Sequence, residues 1–180
     1  MVRISGVISR EALPEDKRHI FDAIMDSRGR VSGPFPLLLH SPEVAGRVAH
    51  LGTYVRFQSV LTPAERELAI ITTAREYDCE YEWYAHMRLA REAGVREEAI
   101  EGIAHRRGVD YFTPEEALLV AYGRELLRNH RISTATFEAA RAKYGEQGVV
   151  DLTVTFGFYA LIACTLNAFE VEAPGGPVLP

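Results

Sequence analysis

Two strong start signals for α-helices occur in the chain, and both have the same form. The tetrapeptides Thr-Pro-Ala-Glu at positions 62–65 and Thr-Pro-Glu-Glu at positions 113–116 are capping boxes with proline at the first helical position. In such a box, the threonine and glutamate side chains bind backbone N–H groups that the first helical turn leaves without partners. We predict one helix that ends near Tyr77 after the first box and another that ends near Asn129 after the second.

Glycine and proline mark the ends of the other predicted helices. Gly94 and Gly145 each follow a helical pattern, and glycine readily adopts the left-handed conformation that ends a helix. A segment rich in glycine and proline, 29–36, predicts a loop. The tail, 173–180, has the same composition, and we expect it to be loose. The remaining predicted helices cover residues 14–27, 41–57, 79–93, 96–105, 133–144 and 147–169.

No segment shows the sustained alternation of apolar and polar residues that is typical of a strand. The pattern therefore predicts an all-α fold of about seven to eight helices joined by short links. A chain of 180 residues suits a single domain, 1–180, with a sizeable core.

Composition and charge narrow the class of protein. Apolar residues make up 47% of the chain and the formal net charge is −5, which argues against a nucleic-acid-binding surface. The first ten residues have no long apolar run, so they do not resemble a signal peptide. The most apolar stretch, 149–169, contains an aspartate, an asparagine and several threonines. It predicts a buried helix rather than a membrane span, and we expect a cytoplasmic protein with no membrane partner.

Three chemically active side chains share one predicted helical stripe. Cys79, Glu82 and His86 are spaced i, i+3 and i+7, which places them on one face of a helix. Cys79 lies at the predicted N-terminus of this helix, where the helix dipole favours a thiolate. His86 is suited to accept the thiol proton, and Glu82 either orients His86 or is itself the base. On the preceding helix, Glu67 would approach the stripe if the two helices pack antiparallel.

Structural interpretations of the same residues stand beside the catalytic ones. An isolated cysteine is commonly a small buried apolar residue, and Cys164 in an apolar run is expected to be buried and inert. A Glu/His pair at i, i+4 is often a surface pair that stabilises a helix by about 0.2–0.5 kcal/mol. Glu82 and His86 also have the spacing of two metal ligands, with Glu67 or Cys79 as a third. No second metal motif accompanies them, so we predict neither a metal nor another cofactor.

Residues 35–95, the core motif region, resemble the carboxymuconolactone decarboxylase family, which belongs with the alkylhydroperoxidases in one AhpD-like superfamily. The resemblance implies the AhpD-like helical fold. A later helix, 155–169, is similar to the closing helix of the family. The matching segments are Leu-Leu-His-Ser-Pro-Glu at 38–43, Leu-Thr-Pro-Ala-Glu-Arg-Glu at 61–67, Cys-Glu-Tyr-Glu-Trp-Tyr-Ala-His at 79–86 and Ala-Arg-Glu-Ala-Gly-Val at 90–95.

The alkylhydroperoxidase branch carries a glutamate followed by the motif Cys-x-x-Cys-x-x-x-His. By resemblance, Glu67 matches that glutamate, Cys79 the first cysteine and His86 the histidine. The second cysteine, which meets the peroxide in that branch, is replaced by Glu82. The chain therefore lacks the thiol pair of this branch and cannot form its local disulfide.

The decarboxylase branch does not depend on a cysteine pair, and His86 matches its motif histidine. This resemblance implies acid–base chemistry on a small carboxylated lactone or related acid, with Glu82 or His86 moving the proton. Arg75 and Arg88 are candidates for binding the substrate carboxylate, although surface salt bridges are the favoured interpretation of both.

Three functional hypotheses follow. The first is a decarboxylase-like enzyme with a Glu/His acid–base site and a small-molecule substrate. The second is a peroxidase of the alkylhydroperoxidase or peroxiredoxin type that acts through the single Cys79. The third is a non-catalytic oligomeric relative, because fold alone does not fix function. The resemblance also implies homo-oligomers, commonly trimers or hexamers.

Overall fold

In a computed structural model, which describes residues 2–176 and 178–180, the chain is an all-α protein. The described residues form eight α-helices and three short 3₁₀ turns, with no β-strand. The predicted fold class is therefore confirmed. The helices are α1 (Arg18–Arg28), α2 (Phe35–Leu38), α3 (Pro42–Phe57), α4 (Pro63–Glu76), α5 (Glu80–Glu92), α6 (Glu97–Ala104), α7 (Pro114–Asn129) and α8 (Thr134–Ala168).

Both predicted capping boxes start helices in the structure. The Thr62 hydroxyl accepts a hydrogen bond from the backbone N–H of Glu65, whose carboxylate accepts one from the N–H of Thr62. Thr113 and Glu116 repeat this arrangement at the start of α7. The helix that follows Cys79 is succeeded by Gly94 at a φ of 89°, a left-handed conformation that glycine adopts without strain.

The largest departures from the predicted boundaries lie near the N-terminus. The helix predicted over 14–27 begins as the 3₁₀ turn Glu15–Lys17, and regular α-helix starts only at Arg18. The predicted loop 29–36 ends inside a short helix, α2, with Pro36 in its first turn. Proline is tolerated there because N–H groups of the first turn have no intrahelical acceptor.

The last helix, α8, is interrupted at Gly145, where the sequence predicted a break. Gly145 has a φ of 69° and a ψ of 179°, so the helical segments on its two sides meet at a kink. Its length and composition would allow α8 to span a membrane, but the core helix of a soluble protein passes the same test. Of its most apolar window, 56% is buried inside the protein, as expected for a core helix.

Helix α4 lies at the centre of the molecule and determines where the two halves of the core meet. It packs against α5, α6, α7 and α8, and nine consecutive residues from Glu67 to Arg75 are buried. On one side, Trp83 and Phe156 belong to a cluster formed with α6 and α7. On the other side, Ile70 and Tyr159 belong to a cluster formed with α1 and α3. Polar side chains on α4 are therefore held inside the protein.

The tail that we expected to be loose makes specific contacts through its described residues. The backbone N–H groups of Val178 and Leu179 donate hydrogen bonds of 2.7 and 3.0 Å to the carboxylate of Glu80. Arg75 donates to the carbonyl of Pro180, and Ala173 is buried. Charged groups on α4 and α5 thus hold the end of the chain, although its composition alone suggested mobility.

Candidate active site

Helices α4 and α5 form a tight antiparallel pair that brings Glu67 to the predicted stripe. The connecting turn includes Asp78, which has a positive φ of 46°. Nδ1 of His86 lies 2.7 Å from Oε2 of Glu67, across the interface between the two helices. A carboxylate can only accept a hydrogen bond, so Nδ1 carries the hydrogen in this pair. The antiparallel packing that the sequence alone could not measure is present.

The second nitrogen of His86 faces the other carboxyl group of the site. Nε2 of His86 lies 3.4 Å from Oε2 of Glu82, one helical turn earlier on α5. The imidazole therefore stands between Glu67 and Glu82, and we call these three residues the Glu–His–Glu triad. Because Nδ1 donates a hydrogen bond to Glu67, Nε2 is the ring nitrogen that can exchange a proton with Glu82.

Burial changes the acid–base properties of the triad. Glu67, Glu82 and His86 are each only 5% exposed. Desolvation raises the pKa of Glu82 because a buried carboxylate loses its hydration, and the charge of Glu67 raises it further. The charges of His86 and Arg56 act in the opposite direction without cancelling the effect of burial. Burial therefore favours the protonated form of Glu82.

A measurement of stability against pH tests this state of Glu82. Its ordinary pKa is 4.5 and its folded pKa is higher, so above pH 4.5 the folded chain keeps a proton that the unfolded chain has released. The stability that this proton contributes is fully present below pH 4.5 and is lost as the pH rises through the folded pKa. We expect the free energy of unfolding of the wild type to fall over this range relative to Glu82→Gln. Urea unfolding of both proteins across the range measures this, and parallel curves would contradict the protonated state.

Tyr159 on α8 completes the wall of the site and was not singled out by the sequence. Its ring packs edge-on against His86, with the ring centroids 5.2 Å apart, and the residue is 4% exposed. Burial, reinforced by the charges of Glu82 and Glu67, raises the pKa of the phenol, which therefore stays protonated. A tyrosine in the predominantly apolar closing helix was the available signal, but its partner could not be read from spacing.

Cys79 occupies the predicted position but not the predicted environment. It is the N-cap residue of α5 and is completely buried in the cluster that contains Tyr159. Desolvation raises the pKa of its thiol to about 12, although the backbone amides of Glu82 and Tyr81 act to lower it. The helix N-terminus was expected to favour a thiolate, but at this position burial has the larger effect.

The expectation for Cys164 was wrong, because this residue is exposed. Ile162, Ala163 and Leu166 face the core, whereas Cys164 lies on the outer face of α8 with Leu161. An apolar run on a helix still presents some positions to solvent, since the helix turns by about 100° per residue.

Thiol labelling of the folded protein separates the two cysteines. We expect one fast-reacting thiol per chain at neutral pH, and peptide mapping should identify it as Cys164. Cys79 should react only on unfolding, because reagents attack the exposed thiolate and its pKa is about 12. Cys164→Ser should remove the fast phase. Rapid labelling of Cys79 in the native state would show that its environment is more open.

The two arginines first considered for binding a substrate carboxylate are engaged elsewhere. Arg75 is buried, donates to the carbonyl of Ala104 and pairs with Asp78. Arg88 pairs with Glu92 on the exposed face of α5. Neither lies in the triad, and both serve as structural salt bridges.

Two surface clefts of the protein lie away from the triad. A cleft of about 460 Å³ lies beside the tail, between Leu166 and Val171, and another of about 390 Å³ lies along α7 near Arg128. Among residues 2–176 and 178–180, no group of three or more histidine, cysteine, aspartate or glutamate side chains is arranged to hold a metal ion.

A comparison with known protein families finds a match for the region of the chain that contains the triad. Residues 42–125 match the carboxymuconolactone decarboxylase family. The matched residues include Glu67, Cys79, Glu82 and His86, whereas Tyr159 lies outside them. No curated protein matches the chain significantly.

Solved structures extend the similarity to nearly the whole chain. An alkylhydroperoxidase AhpD core, a peroxidase-related protein from Ralstonia eutropha JMP134, is 22% identical with a TM-score of 0.76, over 97% of this chain and 93% of its own. A peroxidase-related protein from Silicibacter sp. TM1040 is 16% identical with a TM-score of 0.73, over 97% and 92%. The debrominase Bmp8 is 13% identical with a TM-score of 0.71, over 96% and 92%. These similarities show that the fold is AhpD-like.

Proposed function

We propose that this protein is an acid–base enzyme of the decarboxylase type that acts on a small carboxylated lactone or related acid. The observation that carries the proposal is the placement of His86 between Glu67 and Glu82, at 2.7 and 3.4 Å. An imidazole that binds one carboxyl group through Nδ1 and faces a second one with Nε2 is suited to passing a proton.

The proposed roles follow from the two different carboxyl groups. Glu67 fixes the orientation and tautomer of His86 through the short hydrogen bond to Nδ1. Glu82, whose pKa is raised by burial, holds the proton that is given to the substrate. Nε2 of His86 then takes up a proton from water and passes it to Glu82, which restores both groups to their starting state. Two carboxyl groups with different environments thereby take the two roles of orienting group and acid.

Decarboxylation of such a substrate needs one proton. The carbon–carbon bond to the carboxylate breaks, carbon dioxide leaves, and the electron pair is delocalised into the adjacent carbonyl as an enolate. The protonated carboxyl group of Glu82 then donates its proton to carbon. Burial favours this step because it raises the pKa of Glu82, which favours the protonated acid, and because solvent water competes less for the proton.

A peroxidase that uses Cys79 alone is the alternative, and the environment of the thiol supports it less well. A thiol with a pKa of about 12 is almost entirely un-ionised at neutral pH, and the thiolate is the form that attacks peroxide. Glu82 also occupies the position of the second cysteine, so no resolving partner stands one turn away.

Turnover assays decide between the hypotheses. Purified wild type, Glu82→Gln and Cys79→Ala are incubated with a panel of carboxylated lactones and keto acids, and carbon dioxide release is measured. The same proteins are assayed for hydroperoxide consumption with a dithiol reductant. We expect wild type and Cys79→Ala to release carbon dioxide and Glu82→Gln to be inactive. Absence of turnover across the panel, or full activity in Glu82→Gln, would refute the acid–base proposal.

We also propose that the protein works in the cytoplasm as a homo-oligomer, a trimer or a hexamer. An uncharged exposed face of α8 that includes Val150, Gly157 and Leu161 supports association with a second copy. Light scattering coupled to gel filtration measures the oligomer size. Leu161→Glu should shift the protein towards the monomer, whereas a wild-type monomer would refute the proposal.

A further inference from the structure

Two arginines beside the triad differ from most arginines of the protein. Along the described part of the chain, the side chains of Arg56 and Arg66 make no hydrogen bond to another residue. Most other arginines, such as Arg96 and Arg128, bind carboxylates at hydrogen-bonding distance. Each guanidinium group has five N–H donors, so Arg56 and Arg66 offer donors that the protein itself does not use.

Arg66 lies directly at the edge of the triad. Its Nε is 3.9 Å from Oε1 of Glu67, which is too long for a hydrogen bond but close enough for electrostatic attraction. The other oxygen of Glu67 is the one that binds His86. The side chain of Arg66 is 17% exposed, compared with 6% for Glu67, so it lies between the buried triad and the solvent.

Arg56 approaches the site from another helix. It lies in the last turn of α3, partly buried, with its guanidinium 5.4 Å from the centre of the exposed Phe57 ring. Its positive charge lowers the pKa values of both Glu82 and Tyr159, against the effect of burial on each. Arg66 lowers the pKa of Tyr159 in the same way. The two cations therefore act on the same buried site from α3 and from α4.

The electrostatics of this arrangement favour an added anion. Burial favours the protonated forms of Tyr159 and Glu82, so neither offers a full negative charge to Arg56 and Arg66. Glu67 is already bound to His86 and does not reach either guanidinium at hydrogen-bonding distance. A carboxylate can accept two parallel N–H bonds from one guanidinium, and such a charge-assisted pair is stronger than a neutral hydrogen bond.

We propose that Arg66 and Arg56 bind the carboxylate of the substrate and hold its reacting carbon against Glu82. This inference rests on the proposed acid–base function and adds the residues that select anionic substrates. It replaces Arg75 and Arg88, which the structure engages in salt bridges, as the carboxylate-binding group. The site should therefore discriminate between an acid and its uncharged ester.

A binding experiment tests this selection without requiring turnover. The probe is the anion of γ-butyrolactone-γ-carboxylic acid, its methyl ester is the neutral control, and calorimetry measures the affinities. We expect the wild type to bind the acid at least about 10-fold more tightly than the ester. Arg66→Met and Arg56→Met should each weaken binding of the acid by about 10- to 100-fold and leave binding of the ester unchanged. Arg88→Met, on the exposed face of α5, is the matched control and should behave as wild type.

Further variants separate a binding role from a loss of structure. Arg66→Lys keeps the charge without the two parallel donors, so it should recover part of the affinity that Arg66→Met loses. Thermal unfolding of every variant shows whether the fold is retained. If Arg66→Met does not fold, Arg56→Met alone decides the question through the ratio of acid to ester affinity. Equal binding of acid and ester by the wild type, or unchanged affinity in both methionine variants, would overturn the proposal.

Failure of this inference can be distinguished from failure of the proposed function. If Glu82→Gln loses turnover while the arginine variants bind the acid as tightly as wild type, the acid–base function stands and the carboxylate-binding role is wrong. If the arginine variants no longer bind the acid but the wild type turns over no lactone, the anion-binding site is supported and the proposed reaction is wrong.

Discussion

His86→Ala is expected to lower kcat on a carboxylated lactone by about 10²- to 10⁴-fold, the range typical of general acid–base catalysis. The imidazole is the group that contacts both carboxyl groups of the triad, at 2.7 Å to Glu67 and 3.4 Å to Glu82. Without it, Glu82 has no neighbour in the triad from which to recover a proton. The measurement is steady-state release of carbon dioxide at several pH values.

Two further variants serve as controls for the loss of kcat in His86→Ala. His86→Gln keeps a hydrogen-bonding side chain of similar reach, so it controls for the cavity that alanine leaves between Glu67 and Tyr159. We expect it to restore thermal stability without restoring kcat. Cys79→Ala should retain turnover, because the buried thiol has no part in the proton path. A large loss of kcat in Cys79→Ala, with His86→Ala little affected, would instead favour thiol chemistry.

Glu67→Gln examines the orienting role separately. Glutamine can still bind Nδ1 through its amide oxygen, but it lacks the charge that stabilises a protonated imidazole. We expect a smaller loss of kcat than in His86→Ala and a shift in the pH profile, with KM little changed. The two outcomes distinguish a residue that positions His86 from one that only supports the packing of α4 against α5.

The local parts of the fold could be predicted because their physical causes are local. The capping boxes at Thr62 and Thr113 and the left-handed glycines Gly94 and Gly145 act within one or two turns of the chain, and all four lie at the predicted positions. The i, i+4 spacing of Glu82 and His86 similarly places both side chains on one face whatever surrounds the helix.

The predictions that failed mostly concern contacts between residues that are far apart in the chain. Whether Cys79 is exposed depends on α8, whose Tyr159 and Ile162 share its cluster, and no local pattern reports that contact. The same distance explains why Tyr159 was not recognised as part of the site. The exposure of Cys164 was predictable in principle, because the helical period of α8 places it away from Leu166, but the apolar run concealed the period.

Arg56 and Arg66 illustrate a third limit. Nothing in their sequence neighbourhoods separates them from the arginines of surface salt bridges. What distinguishes them is the absence, among the described residues, of an acceptor within hydrogen-bonding distance together with their position at the edge of a buried acid–base group. This property depends on the packing of α3, α4 and α5 against one another, so it can be recognised only in the folded structure.

Asp151→Ala should reduce the free energy of unfolding by about 2–4 kcal/mol, since it removes two hydrogen bonds that contribute about 1–2 kcal/mol each. Asp151 is 4% exposed on α8 and accepts hydrogen bonds from the Tyr54 hydroxyl at 3.0 Å and the Val60 backbone N–H at 2.9 Å. Urea unfolding of the variant and wild type at pH 7 gives the difference directly.

The position of Asp151 links this stability to the active site. It ties α8 both to the last turn of α3, where Arg56 lies, and to the segment that leads into α4, where Arg66 and Glu67 lie. Tyr54→Phe removes one of the two hydrogen bonds and should cost about 1 kcal/mol, while Asp151→Asn keeps an acceptor and should lie between Tyr54→Phe and Asp151→Ala. If Asp151→Ala is as stable as wild type, then neither bond contributes to stability, and the packing of α3 and α4 on α8 alone fixes the geometry around Arg56, Arg66 and the triad.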